Sequence, residues 1–422
     1  MRSALILPLL TFLVFFAANV QGEDSSKPQA EARPPVVLTD EARKLHASSL
    51  VIDGHNDLPW ELRQQAQGRF DRLDISKPQP QKLQTDIPRL RQGGVGAQFW
   101  SVWVPGSTAK RGEALSTTLE QIALVKAMID RYPETFELAL TTDDIERIHK
   151  SGKIASLIGV EGGYSIEGSI PILRQLYAEG ARYMTLTHSD SLDWADSGTD
   201  EPTAGGLSPF GEDVVREMNR LGMMVDLSHV SPEAMKDALR VTKAPVIFSH
   251  SSARGVADHP RNVPDDVLKL TAENGGVVMV NFFSAFIVPE TAKRDVERMA
   301  FRRAGEKKLD KGEEEDVDAA MRRWDAENGR GERGTIHTLI DHIEHIIDVA
   351  GVDHVGIGSD YDGISMLPTQ LDDVSSYPYI TQALLDRGHS AEDIRKILGG
   401  NMLRVMRASE KAANQRDSNA PR

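Results

Sequence analysis

There is no cysteine among the 422 residues. Disulfides, iron–sulfur clusters, thiolate zinc sites and a lipid-modified N-terminal cysteine are therefore excluded. Stability has to come from a buried core, which a chain of this length can build. Basic charge is also scarce: 49 Lys and Arg stand against 63 Asp and Glu, a formal net charge of −14. Nucleic acid or an anionic membrane surface is disfavoured as a partner, because either needs a basic face. The apolar run from Ala4 to Ala18 is short for a membrane span, and no span is expected in the mature chain. No glycine-rich phosphate loop follows the first predicted strand, which counts against a dinucleotide-binding sheet. The polar stretch Arg416 to Arg422 offers no hydrophobic tail for a glycolipid anchor.

The composition that remains, 40% hydrophobic and 27% charged, is that of an ordinary globular protein. Arg2, the apolar run and Val20-Gln21-Gly22 have the layout of a secretory signal over residues 1–22. A soluble mature chain starting near Glu23 is expected, exported to a periplasm or the extracellular space; an uncleaved anchor is the alternative. Residues 23–38 are polar and proline-bearing and read as a disordered linker. The catalytic domain is expected over 39–415, with a polar tail over 416–422.

Within that domain, apolar strands alternate with helices. Strands are predicted over 51–57, 96–103, 153–160, 183–187, 223–228, 246–249, 277–281 and 355–359. Helices are predicted over 39–48, 117–132, 170–180, 211–222, 232–243, 264–274, 336–350 and 391–412. Residues 61–85 read as an irregular loop. The densely charged 289–333 reads as a solvated helical insertion. Strands that are nearly continuous apolar runs, alternating with helices, point to a (β/α)8 TIM barrel. An open doubly wound sheet is the alternative.

The strands share a further feature: a polar residue closes them. His55 and Asp57 end the first, one residue apart, and so point to the same side. Glu161 ends the third, and His188, His229, His250 and Asp360 end later ones. In a barrel these ends meet on one face. Imidazoles and carboxylates are the donors that hold zinc or a similar ion, and there are enough for two, with Glu161 able to bridge. Two such ions activate a shared water and polarise a carbonyl, which is the chemistry of hydrolysis. Asp360 is placed to move a proton and His188 to stabilise an oxyanion. Arg261 could pair with a substrate carboxylate; a surface ion pair is its plainer reading.

These residues sit in motifs that resemble the membrane dipeptidase (renal dipeptidase) family of zinc metallopeptidases. They are Asp53-Gly54-His55-Asn56-Asp57-Leu58-Pro59, Gln98-Phe99-Trp100-Ser101-Val102 and Ala155 to Gly163. Leu186-Thr187-His188-Ser189, Asp226 to Ser231, Val246 to Ala253, Arg261 to Leu268 and Asp360-Tyr361-Asp362-Gly363 complete the set. The resemblance covers roughly Leu45 to Arg407. It implies a barrel with two zinc ions per chain, one on His55 and Asp57, the other on His229 and His250, bridged by Glu161. It implies substrate-binding and catalytic places for His188, Arg261 and Asp360. The expected reaction is hydrolysis of dipeptides, including those with a C-terminal D-residue, by a metal-bridging hydroxide. Another amidohydrolase activity on a small amide or β-lactam, and an inactive binding protein, are the competing readings. Mammalian members carry disulfides, a glycolipid-anchor signal and a shorter charged segment. A homodimer is compatible with the resemblance.

Overall fold

Residues 33–310 and 316–419 are described by the computed structural model. The expected signal peptide and most of the expected linker lie outside them. The strands are β1 (Val51–Asn56), β2 (Val95–Trp103), β3 (Phe136–Leu138), β4 (Ile154–Glu161) and β5 (Ala181–Thr185), then β6 (Met224–Asp226), β7 (Ile247–Phe248), β8 (Val277–Val280) and β9 (Val355–Ile357). The pairings are parallel and run β2-β1-β9-β8-β7-β6-β5-β4, and β4 pairs back onto β2. Eight strands thus close into a (β/α)8 barrel, and the open-sheet alternative is excluded. Every residue of β1, β4 and β5 is buried, as follows when one strand face fills the barrel and the other meets helices.

The ninth strand, β3, was not anticipated. It pairs Phe136 to Leu138 with Ile154 to Ser156, on an edge of β4 that β5 takes over from Ile158. Three residues are too few to show a period. The expected loop 61–85 also begins differently, with the helix Leu58–Ala66. Leu58, Leu62 and Ala66 are buried at four-residue spacing and Pro59 sits in the first turn, where its missing N–H costs nothing. The charged insertion forms two helices, Pro289–Asp310 and Val317–Asn328, joined by Arg298 to Asp325 at 2.7 Å. The helix Asn401–Asn419 runs on into the expected tail.

The last linker residues are fixed rather than loose. Val36 is buried, and its N–H and carbonyl both bond the Gln370 side chain at 2.9 Å. Thr39 then caps the helix Asp40–Ala47, accepting from the Ala42 N–H. The helix Ile336–Ala350 shows the predicted amphipathic logic. A Thr335 capping box starts it, and Ile336, Leu339, Ile340, Ile343 and Ile346 face the barrel.

One glycine links this framework to the site. A Cβ on Gly159 of β4 would fall 2.0 Å from the ring of Tyr183 on β5. The fully buried tyrosine therefore lies inside the barrel only because Gly159 has no side chain. Gly159→Ala is expected to destabilise the fold by about 1–3 kcal/mol, the usual cost of overpacking a dense core. Urea unfolding measures it; an unchanged midpoint would show that Tyr183 can move freely.

Candidate metal centre

His55 and Asp57 leave the end of β1, and Glu161 is the last residue of β4. His188, His229, His250 and Asp360 stand two or three residues beyond β5, β6, β7 and β9. His229 and Asp360 have φ of 70° and 65°, left-handed backbone that non-glycine residues rarely adopt. Strain of this kind persists where surrounding contacts impose it, and here it aims two side chains at the barrel axis.

The ligand-type atoms converge. His55 Nε2 lies 3.2 Å from Asp57 Oδ2 and 3.5 Å from Glu161 Oε2. On the other side of the same carboxylate, Glu161 Oε1 is 2.9 Å from His229 Nε2 and 3.3 Å from His250 Nε2. The two Nε2 atoms are themselves 2.9 Å apart. Three overlapping groups result: His55 with Asp57 and Glu161, Glu161 with His229 and His250, and His55 with His250 and Asp360.

The surroundings fix which nitrogens carry lone pairs. The Tyr183 hydroxyl donates to the Gly54 carbonyl at 3.1 Å, so it accepts from His55 Nδ1 at 3.0 Å. Ser249 Oγ donates to Asp226 Oδ2 at 2.7 Å, so it accepts from His250 Nδ1 at 2.8 Å. Both rings then turn a bare Nε2 toward carboxylate oxygens. His55 Nε2 is buried with no hydrogen-bond partner. Acceptors facing acceptors in a buried site call for a cation between them. This is how a metal-ligating histidine is held, one nitrogen on a protein group and the other on the ion, so the donor set fits a divalent metal.

The electrostatics agree. Burial alone would raise the Glu161 carboxyl, but His55, His188, His229 and His250 hold it well below the usual range. Burial pushes His229 and His250 well down, so their rings are neutral. Burial opposes charge on His55, yet Tyr183, Glu161 and Asp57 pull its pKa well up, so a positive charge is drawn to Nε2. Asp360 is raised well above normal by burial, with Asp57 and Glu161 adding repulsion.

All seven residues predicted at strand ends meet at this centre. Arg261 stands behind it, donating to the His250 carbonyl at 3.2 Å and to Ser251 Oγ at 3.3 Å. Its guanidinium lies over the Phe286 ring at 5.2 Å. The surface ion pair offered as its plainer reading is wrong: Arg261 is 4% exposed, and among the described residues no carboxylate lies within ion-pair distance. Burial brings its pKa down to about 10, so it stays charged at neutral pH. Sequence reasoning missed Tyr183, Asp226, Ser101 and Asn281. Ser101 donates to Glu161 Oε2 at 3.3 Å, and Asn281 Nδ2 to Asp360 Oδ2 at 2.8 Å. Asn281 closes a predicted strand like the ligands do, so the same rule could have flagged it; Tyr183 lies inside a strand and carries no such signal.

The profile of the membrane dipeptidase family (peptidase family M19) matches residues 39–420. The chain belongs to that family. It is a metallo-dipeptidase. An uncharacterised dipeptidase of Schizosaccharomyces pombe is 44% identical over 373 residues, covering 85% of this chain and 81% of the relative. Among solved structures, the probable dipeptidase PvdM of Pseudomonas aeruginosa is similar with a TM-score of 0.75 at 24% identity, covering 88% of this chain and 98% of its own. A metallopeptidase of Rhodobacter sphaeroides, liganded with a phosphinate mimic of the dipeptide L-Ala-D-Ala, gives 0.70 at 22%, covering 86% and 100%. At these identities the solved structures bear on the fold, and the fold of this dipeptidase agrees with theirs.

Tyr183→Phe keeps the ring and removes the acceptor for His55 Nδ1. Metal affinity on the His55 side of the dipeptidase is expected to fall about 10- to 100-fold, the usual effect of losing a group that orients a ligand. Competition with a chelator reads this out directly. Unchanged affinity would mean that the tyrosine does not set the ring.

Proposed function

We propose that this dipeptidase holds two zinc ions, with His55 and Asp57 on one, His229 and His250 on the other, and Glu161 shared. The observation that carries the reading is the two-sided carboxylate: Glu161 Oε2 faces His55, and Oε1 faces His229 and His250. Neutral imidazoles and carboxylates without thiolates suit zinc. When bound, the ions would activate a shared water and polarise the scissile carbonyl.

The protein groups then have distinct tasks. Asn281 occupies Asp360 Oδ2, which leaves the other oxygen to take a proton from water and hand it to the leaving amine. His188, its ring tilted against Trp103 at 5.5 Å and its side chain 22% exposed, is the histidine an arriving substrate meets. Its Nδ1 lies 3.0 Å from Ser189 Oγ, and in the tautomer in which that hydroxyl donates, Nε2–H points free toward the developing oxyanion. Arg261 receives the C-terminal carboxylate through its planar fork. The ligand of the Rhodobacter sphaeroides relative supports extending the substrates to those with a C-terminal D-residue. The signal-like N-terminus supports export.

Purified protein is expected to carry about two equivalents of zinc, and chelation should abolish hydrolysis. Full activity in metal-free protein would sink the reading. Glu161→Gln removes the shared charge and should weaken metal binding and cut turnover by at least ~10²-fold. Near-normal turnover at full metal content would refute the bridging role.

The receptor role of Arg261 needs a double comparison. Charge-assisted pairs contribute about 1.5–3 kcal/mol, so Arg261→Lys should lower kcat/KM for a dipeptide roughly 10- to 100-fold. The corresponding dipeptide amide, already a poor substrate, should lose little more. An equal fall for both substrates would remove Arg261 from this role.

A further inference from the structure

The charged insertion over 289–333 takes no part in the roles above. Its first helix, Pro289–Asp310, is nonetheless anchored at its base. Thr291 and Ala292 are buried. Thr291 Oγ1 donates to the Glu332 carbonyl at 3.0 Å and accepts from the Glu332 N–H at 2.9 Å, which ties the start of the insertion to its end. Asp295 follows Thr291 by four residues and Ala292 by three, so it shares their helix face. There its Oδ2 lies 3.3 Å from Nε2 of His259, a wholly buried ring.

His259 stands two residues before Arg261, and its hydrogen bonds have a fixed direction. The Arg261 backbone N–H can only donate, and it donates to His259 Nδ1 at 3.1 Å. Burial lowers the pKa of the ring, so it is neutral and carries a single proton. That proton is therefore on Nε2 and points to Asp295. A ring bonded at both nitrogens cannot turn without breaking a bond.

His259 reaches Arg261 by more than the Nδ1 bond. The turn His259-Pro260-Arg261-Asn262 is closed by the Asn262 N–H on the His259 carbonyl at 2.9 Å, with proline at its second position. Phe286 is a further link. Its ring centroid is 4.6 Å from that of His259, and the Arg261 guanidinium lies over it at 5.2 Å. The Phe286 carbonyl accepts from Asn262 Nδ2 at 2.6 Å, so its backbone is held by the same turn. Rotation of the His259 ring would disturb both the backbone of Arg261 and the aromatic surface on which its guanidinium rests.

We propose that Asp295 is a positioning residue: through His259 it aims Arg261 at the C-terminal carboxylate of the dipeptide, which gives the charged insertion a role in substrate binding. The proposal rests on the receptor reading of Arg261. A planar fork contributes to recognition only when it is held at the productive angle.

The test uses zinc-loaded mature protein and compares kcat/KM for Ala-Ala and its C-terminal amide. Asp295→Ala is expected to lower the Ala-Ala value about three- to tenfold, the effect of one hydrogen bond, and to leave the amide within about twofold. Alanine suits a helix, and thermal unfolding checks that the variant is folded. Asp295→Asn keeps the shape and an acceptor oxygen, so its ratio of the two substrates should fall between those of wild type and Asp295→Ala. Lys307, on the same helix, makes an exposed pair with Glu201 at 3.2 Å, and Lys307→Ala should leave the ratio unchanged. A wild-type ratio in Asp295→Ala, or in Asp295→Asn where the alanine variant does not fold, overturns the proposal. An equal fall for both substrates means a general loosening of the site and overturns it too, as does an equal effect of Lys307→Ala. Arg261→Lys is the reference arm. If it costs the dipeptide and the amide equally, the receptor reading falls and the positioning role falls with it. A selective loss in Arg261→Lys with none in Asp295→Ala removes the positioning role alone.

Discussion

Everything at the barrel mouth depends on one crowded carboxylate. Glu161 is buried among imidazole nitrogens, and His55 and His250 turn bare lone pairs into the space around it. Such a cluster is stable only if positive charge sits inside it, so the framework has to hold acceptors together until a cation arrives. Two further buried acids do this. Asp53 accepts from the Ser359 N–H and hydroxyl and from the Tyr377 hydroxyl, tying β1 to the segment after β9. Asp226 accepts from the Ser249 N–H and hydroxyl and from the Thr185 hydroxyl, tying β6 to β5 and to the segment after β7. Each is satisfied by several donors, the condition under which burying a carboxylate is tolerable. Each also stands just before a candidate ligand, Asp53 before His55 and Asp226 before His229. The acids that brace the strands therefore fix the points from which these histidines project.

That coupling explains what the sequence could and could not reveal. Strands buried on both faces leave long apolar runs, so the strands that deliver the site were readable, and so was the polar residue that closes each one. Helix limits were readable where caps mark them, as at Thr39 and Thr335. The short strand Phe136–Leu138 and the helix Leu58–Ala66 were not, because their apolar signal spans too few residues. The supporting shell was hidden for a different reason. Tyr183 acts across the barrel on His55, 128 residues earlier in the chain, and the room it needs is made by Gly159 on another strand. No local pattern encodes a contact of that kind.

Arg261 illustrates the limit most sharply. Its motif could be quoted from the sequence, but its environment could not, and the environment is what gives it meaning. A buried guanidinium without a carboxylate partner is costly, and a surface ion pair would have avoided the cost. The fold instead places it over Phe286 and against the His250 carbonyl, charged and, among the described residues, without a carboxylate partner.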